Sequence, residues 1–263
     1  MAVLTQHAPG TFSWPELSTT DPAGAKKFYG ALFGWTGNDV PMGPDAGFYT
    51  LFQKGGQASS AMVGLSPDQQ KMGIPPHWGA YVTVADADAT TEKAKQLGGT
   101  VLAGPFDVMG TLGRMAVIQD PTGATFCVWQ AKDHIGAGVL DEPGALAWTE
   151  LMTSDPARSK AFYTALIGWS ASEMPMDSMM YTLFNRPDGI PAGGMMEITP
   201  EMGQMPSHWL SYFQVADIEA AVALSAQMGG TTMLAPKPVP GVGKIAILAD
   251  PQGAAFGLLE AAS

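Results

Sequence analysis

The chain contains itself twice. Residues 11–35, TFSWPELSTTDPAGAKKFYGALFGW, return as residues 145–169, ALAWTELMTSDPARSKAFYTALIGW, with 14 of 25 positions identical and no gap. The echo then runs on in order. Tyr49-Thr50-Leu51-Phe52 returns as Tyr181-Thr182-Leu183-Phe184, His77-Trp78 as His208-Trp209, and Val84-Ala85-Asp86 as Val215-Ala216-Asp217. Gly98-Gly99-Thr100 returns as Gly229-Gly230-Thr231, and Asp120-Pro121-Thr122-Gly123-Ala124 as Asp250-Pro251-Gln252-Gly253-Ala254. The offset drifts only from 134 to 130 residues. A period of that length is a duplicated domain, since solenoid repeats run 20–50 residues. Module 1 is read as residues 1–132, a linker as 133–143, and module 2 as 144–263. The linker, DHIGAGVLDEP, is rich in Gly and turn formers. Residues 11–131 are expected to superpose on 145–261.

Composition narrows what such a pair does. Hydrophobic residues make up 46% and charged residues 14%, the balance of a folded chain. The net charge of −11 disfavours nucleic acid and anionic membranes as partners. One cysteine, Cys127, leaves no disulfide framework and no cysteine zinc site. The N-terminus MAVLTQHAPG lacks the charged and apolar regions of a signal peptide, and no apolar run is long enough to span a bilayer. A soluble, cytoplasmic protein is expected, as a monomer or homodimer.

Within each module the pattern reads β-α-β-β twice. In module 1 a strand at Ser13–Ser18 leads to Thr20-Asp21-Pro22, an N-cap with Pro just inside the helix. Helix Ala23–Leu32 stops at Gly34. Strands follow at Tyr49–Gln53 and Ala58–Leu65. A second unit starts with strand Trp78–Val84 and helix Asp88–Leu97, capped by Asp86. Strands Arg114–Gln119 and Thr125–Gln130 flank the Asp120–Gly123 turn.

Three features together carry a resemblance: D-P-x-x-x-x-x-F-Y-x-x-L-x-G-W (Asp21 to Trp35, Asp155 to Trp169), the V-x-D opening of the second helix, and the D-P-x-G turn before the last strand. In this order, twice over, they resemble the vicinal oxygen chelate superfamily of glyoxalase I, bleomycin-resistance proteins and extradiol dioxygenases. W-x-E-L in the first strand and H-W in the fifth are similar to tandem glyoxalase-like proteins of actinobacteria. The resemblance implies an α+β fold of two tandem glyoxalase-like modules. Each is built from paired βαβββ units whose curved mixed sheets form a cup. It also implies, in the active metalloenzymes, a divalent metal in that cup.

Placed by the resemblance, the ligand positions of that metal hold Trp14 and Trp148, Gly79 and Leu210, Cys127 and Gly257. The intervening strand, 55–66, has no Asp, Glu, His or Cys. Selective metal binding needs several convergent N, O or S ligands, so no metal and no other cofactor is expected. Glu16 shares a strand face with Trp14, and His77 shares one with Gly79. Glu150 and His208 repeat them. A shifted Glu/His metal site is the alternative, making the chain a lyase or dioxygenase. A non-catalytic interaction protein with vestigial cups is the second.

The leading expectation is a protein that binds a small, partly apolar organic molecule. Trp14, Glu16, His77, Trp78, Cys127, Trp148, Glu150, His208 and Trp209 are the expected ligand contacts. Glu16 and Glu150 are the candidate acid–base groups, because a buried carboxylate titrates high. Tyr29 and Tyr163 read as core. Arg114 and Lys244 read as surface cations or anion contacts. The eight methionines between Met174 and Met205 read as adaptable packing. Whether the modules pair within or between chains is left open.

Overall fold

Strong caps start the helices where the sequence places them. The computed structural model describes residues 3–43, 47–176 and 179–262. Helix α1 (Pro22–Phe33) begins with the Asp21 carboxylate accepting the Gly24 N–H and ends at Gly34, whose φ of 69° is the left-handed cap that Gly supplies. Helix α4 (Pro156–Ile167) repeats both features with Asp155 and Gly168. Helices α3 (Ala87–Gln96) and α5 (Ile218–Gln227) are capped by Asp86 and Asp217. A one-turn helix α2 (Pro67–Lys71) carries a Ser66/Gln69 capping box.

Module 1 contains strands β1 (Phe12–Thr19), β2 (Thr36–Pro41), β3 (Phe48–Lys54), β4 (Gln57–Gly64), β5 (His77–Thr83), β6 (Thr100–Val108), β7 (Gly113–Gln119) and β8 (Thr125–Ala131). Module 2 repeats them as β9 (Leu146–Thr153), β10 (Ser170–Met176), β11 (Met179–Asn185), β12 (Pro191–Glu197), β13 (His208–Gln214), β14 (Thr231–Val239), β15 (Gly243–Ala249) and β16 (Ala255–Ala261). Each half-module is therefore βαβββ, as the resemblance implies, and not the β-α-β-β read from the residues. The strands overlooked, β2, β6, β10 and β14, sit at the sheet edges. Their residues, such as TGNDVP in β2, are mostly exposed and include the Gly, Asn, Asp and Pro that edge strands tolerate. No alternation marks them.

The order is β2-β3-β4-β1-β5-β8-β7-β6 in one sheet and β10-β11-β12-β9-β13-β16-β15-β14 in the other. β1 runs parallel to β4 and antiparallel to β5, so the two half-units join at β1–β5. Each sheet curls into a cup with its helices on the outer face.

The modules pair within the chain, outer face to outer face, and their cores are shared. One buried cluster joins Val82, Ile118 and Phe126 of module 1 to Phe162, Trp169 and Trp209 of module 2. The other joins Leu17, Phe28 and Trp35 to Phe213, Ile218 and Phe256. Polar ties repeat the symmetry. Trp35 Nε1 donates to the Gly144 carbonyl at 2.6 Å, and Trp169 Nε1 donates to the Gly10 carbonyl at 3.0 Å. Tyr29 Oη donates to Asp250 at 2.9 Å, and Tyr163 engages Asp120 across the other half of the seam. The F-Y, G-W and D-P-x-G motifs are thus chiefly the lock between modules.

The linker is not a free tether. Gly136, Ala137, Gly138 and Val139 are buried. Ala137 N–H donates to Ser13 O at 2.7 Å and Gly138 N–H to Ala58 O at 2.7 Å, so the segment fills the split between β1 and β4. Among the described residues no segment makes the equivalent bonds in module 2.

Candidate functional site

Strand parity decides what enters each cup. Along β1, Leu17 goes to the shared core, while Trp14 and Glu16 face inward. Trp14 lies opposite Tyr81 and Glu16 opposite Gly79 on β5. Tyr49 comes in from β3. Tyr49 Oη donates to Glu16 Oε2 at 2.6 Å, Tyr81 Oη donates to Oε1 at 2.9 Å, and Trp14 Nε1 donates to Tyr49 Oη at 3.3 Å. Both carboxylate oxygens are held by phenols, and one phenol is itself held by an indole. Module 2 builds the same cradle. Tyr212 Oη donates to Glu150 Oε2 at 3.0 Å, Tyr181 bonds the same carboxylate, and Trp148 Nε1 donates to Tyr181 Oη at 2.9 Å. In module 2 two glycines make room. A Cβ on Gly194 would overlap the Tyr181 hydroxyl, and one on Gly257 would overlap the Tyr212 ring.

Two expected contacts need correction. Trp78 and Trp209 do not line the cups. Neighbours along a strand point to opposite faces, so residues flanking His77 or His208 leave the cup side. Trp78 Nε1 donates to Tyr29 Oη at 3.0 Å and Trp209 Nε1 to Tyr163 Oη at 2.8 Å, both inside the shared core. His77 stays on the cup side at an exposed rim, and His208 is half-buried. Their Nδ1 atoms lie 2.8 and 2.9 Å from the Pro75 and Pro206 carbonyls. A carbonyl only accepts, so Nδ1 carries the proton. Cys127 packs beside Tyr81 in the first cup, where burial pushes the thiol up and keeps it protonated. Arg114 is spent on Asp88 and Asp107, and Lys244 on Glu219 and Glu260.

The four cradle tyrosines, Tyr49, Tyr81, Tyr181 and Tyr212, were not among the expected contacts. H-W-x-x-Y recurs at residues 77–81 and 208–212, and its Tyr has the parity of His, which was the available signal. His134 was missed too. It reaches back from the linker and meets Trp14 edge-on at 4.7 Å.

The cradle is a poor cation site. Burial pushes the Glu16 and Glu150 carboxyls up, against the pull of their tyrosines. The phenols are pushed up as well, so they stay protonated donors. One doubly engaged carboxylate per cup, with Trp, Gly or Leu, and a protonated thiol or Gly beside it, does not fit a divalent ion. Among the described residues the one trio of potential ligands within 4.8 Å is Asp217, Glu219 and Glu260, on the surface. What each cradle offers is a hydrogen-bond acceptor, and a base of raised pKa, in apolar surroundings. Two grooves of about 280 and 360 Å³ lie outside the cups, along the seam between modules.

The raised carboxyls fix a pH dependence. A native pKa above the unfolded value of about 4.5 means that the native state holds more protons between the two. Their contribution is full below that value and is lost as pH rises through the native pKa. The gap in denaturation midpoint between Glu16→Gln and the parent chain should therefore move in the variant's favour from about pH 5 to about pH 8. A pH-independent gap would show that Glu16 titrates normally.

Comparison with known proteins adds a family, two relatives and two solved structures of similar fold. The family model described as "Glyoxalase/Bleomycin resistance protein/Dioxygenase superfamily" matches residues 11–128 and again 145–258. A Mycobacterium tuberculosis protein named "Putative glyoxylase CFP32" is 40% identical over 262 residues, covering 100% of this chain and 99% of its own. The "Anthracycline biosynthesis protein DnrV" of Streptomyces peucetius is 34% identical over 267 residues, covering 98% and 95%. Among solved structures, the Mn(II)-bound glyoxalase from Novosphingobium aromaticivorans aligns over 97% of this chain and 83% of its own, with a TM-score of 0.65 and 12% identity. The 2,2',3-trihydroxybiphenyl 1,2-dioxygenase from Sphingomonas wittichii aligns over 96% and 90%, with a TM-score of 0.62 and 11% identity. Both structural likenesses speak for the fold alone. No helix among the described residues is long and apolar enough to cross a membrane.

Proposed function

Because the chain belongs to the glyoxalase/bleomycin resistance protein/dioxygenase superfamily, we propose that it binds an uncharged, largely apolar organic molecule at a cup carboxylate without the family's divalent metal. The observation that carries this reading is the braced carboxylate: two phenols on one Glu in an apolar cup, built twice. A pocket of aromatic and apolar walls with a few convergent polar groups is the usual make-up of a small-molecule site. A carboxylate there favours a ligand that brings a hydroxyl donor and repels one that brings an anion. One relative is named for anthracycline biosynthesis, and anthracyclines are built on fused rings. The Glu would also serve as the base if the bound molecule has an acidic proton.

The metal-dependent alternative needs Glu16 and His77 to converge on one ion. Glu16 already accepts from two phenols, and His77 sits at the rim with its ring tied to Pro75. The test uses the intact chain with 2-naphthol, an uncharged fused-ring phenol with a free hydroxyl and no chelating pair of oxygens. Chelator-treated protein should bind 2-naphthol as tightly as untreated protein, and added manganese or zinc should change neither affinity nor melting. A stoichiometric metal whose removal abolishes binding would overturn the metal-free reading.

A further inference from the structure

The two cradles share their chemistry but not their access. Glu16 is half-buried, whereas Glu150 is only 7% exposed. The cause lies in the residues around each carboxylate. Opposite Glu16 stands Gly79, and two positions along β1 stands Ser18, paired with His77. Opposite Glu150 stands Leu210, 3% exposed, and two positions along β9 stands Met152, 6% exposed, paired with His208. Small residues open module 1 at the His77 rim, whereas large apolar ones close module 2 at the matching His208 end, and its other end, without a linker over it, leaves Trp148 half-buried.

Gly79 is not required by the backbone. A Cβ there would meet Glu16 O at 3.5 Å and the Tyr81 ring at 3.6 Å, ordinary contacts, and its φ is not in the left-handed region. Glycine here leaves space, and leaving space is its visible consequence. The other end of the same cup is shut. Trp14 is 4% exposed, packed in one buried cluster with Trp129, Cys127 and Ala137 and covered by His134 from the linker.

We infer that the first cup holds the one ligand site of the chain, entered beside Gly79 from the His77 rim, and that Glu16 alone of the two carboxylates meets the ligand. This rests on the proposed binding function and narrows it. The ligand is an apolar ring system with a hydroxyl donor for Glu16. Its edge lies over Gly79 beside Ser18 and the Tyr81 ring, and anions are excluded. Glu150, capped by Leu210 and Met152, is a structural counterpart.

Titration calorimetry of the full chain with 2-naphthol tests this. One equivalent should bind. Glu16→Gln should weaken it about tenfold, the loss of a hydrogen bond to a charged acceptor. Gly79→Leu, which imports the module 2 residue, should abolish binding while leaving the melting temperature close to that of the parent chain. Naphthalene, lacking the hydroxyl, should bind more weakly, and naphthalene-2-sulfonate should not bind. Two equivalents on the parent chain, or one that survives both substitutions, would overturn the assignment to Glu16 while leaving the binding function intact. Failure of the parent chain to bind any of the three probes would remove the binding function, and this inference with it.

Discussion

Asp250→Ala is expected to destabilise the whole chain by about 3–5 kcal/mol, because Asp250 sits 3% exposed in a turn at the seam. Each buried donor left without a partner costs about 1–3 kcal/mol. Asp250 Oδ2 receives the Tyr29 hydroxyl, and Oδ1 receives the Gln252 and Ala254 N–H groups. Tyr29 is fully buried, and it also takes the Trp78 indole N–H. Removing the carboxylate thus strands a phenol of module 1 and unties a turn of module 2. At roughly 2–4 °C per kcal/mol for a chain of this size, melting should fall by roughly 10 °C. Both modules should fall together in one transition, because each buried cluster at the seam draws on both. Calorimetry that resolves two separate transitions, or a loss under about 1 kcal/mol, would show that the seam does not couple them.

The residues that made the repeat visible are mostly those of the seam. Tyr29, Trp35 and Asp250 each hydrogen-bond across the modules, and Trp78 bonds Tyr29 and packs against Phe213 of module 2. That made the fold easy to read and the site harder. Retention in both copies marked His77-Trp78 as a unit, yet adjacent strand residues part company. Parity alone separates the rim histidine from the core tryptophan. The same parity rule, applied forward, leads from His77 through Gly79 to Tyr81, and from Trp14 to Glu16. The carboxylates were legible as inward-facing, but their phenol partners come from other strands, and only the folded register brings Tyr49 to Glu16. The difference between the cups rests on Gly79 against Leu210, a position read only as a vacant metal ligand. The edge strands were illegible for a different reason: exposed on both faces, they have no pattern to show.

The linker is where the sequence misleads most, and Gly136→Val is the substitution that exposes it. In a free tether this change would be nearly silent. Here Gly136 has φ +107° and a Cβ would stand 2.6 Å from Ser13 O, with the Ser13 carbonyl carbon and Cβ both at 3.2 Å. Backbone does not yield as the tip of a flexible side chain does. A non-glycine residue held in such a conformation costs about 1–3 kcal/mol before any clash. The clash falls on the bonds from Ala137 to Ser13 and from Gly138 to Ala58, which seat the segment between β1 and β4. Losing that seat uncovers Trp14 and Trp129, whose indole donates to the His134 carbonyl at 2.9 Å. The expected total is about 3–5 kcal/mol, in the range of changes that combine backbone strain with lost buried contacts. Gly123→Ala separates the two parts. Gly123 has φ +102° but nothing within 4 Å of its Cβ, so it carries the strain without the clash. Urea midpoints should place Gly123→Ala about 1–2 kcal/mol below the parent chain and Gly136→Val well below that. Tryptophan emission of Gly136→Val should shift to the red under native conditions, as Trp14 and Trp129 meet water. Equal losses in the two variants, with unchanged emission, would mean that the segment lies on the cup without closing it.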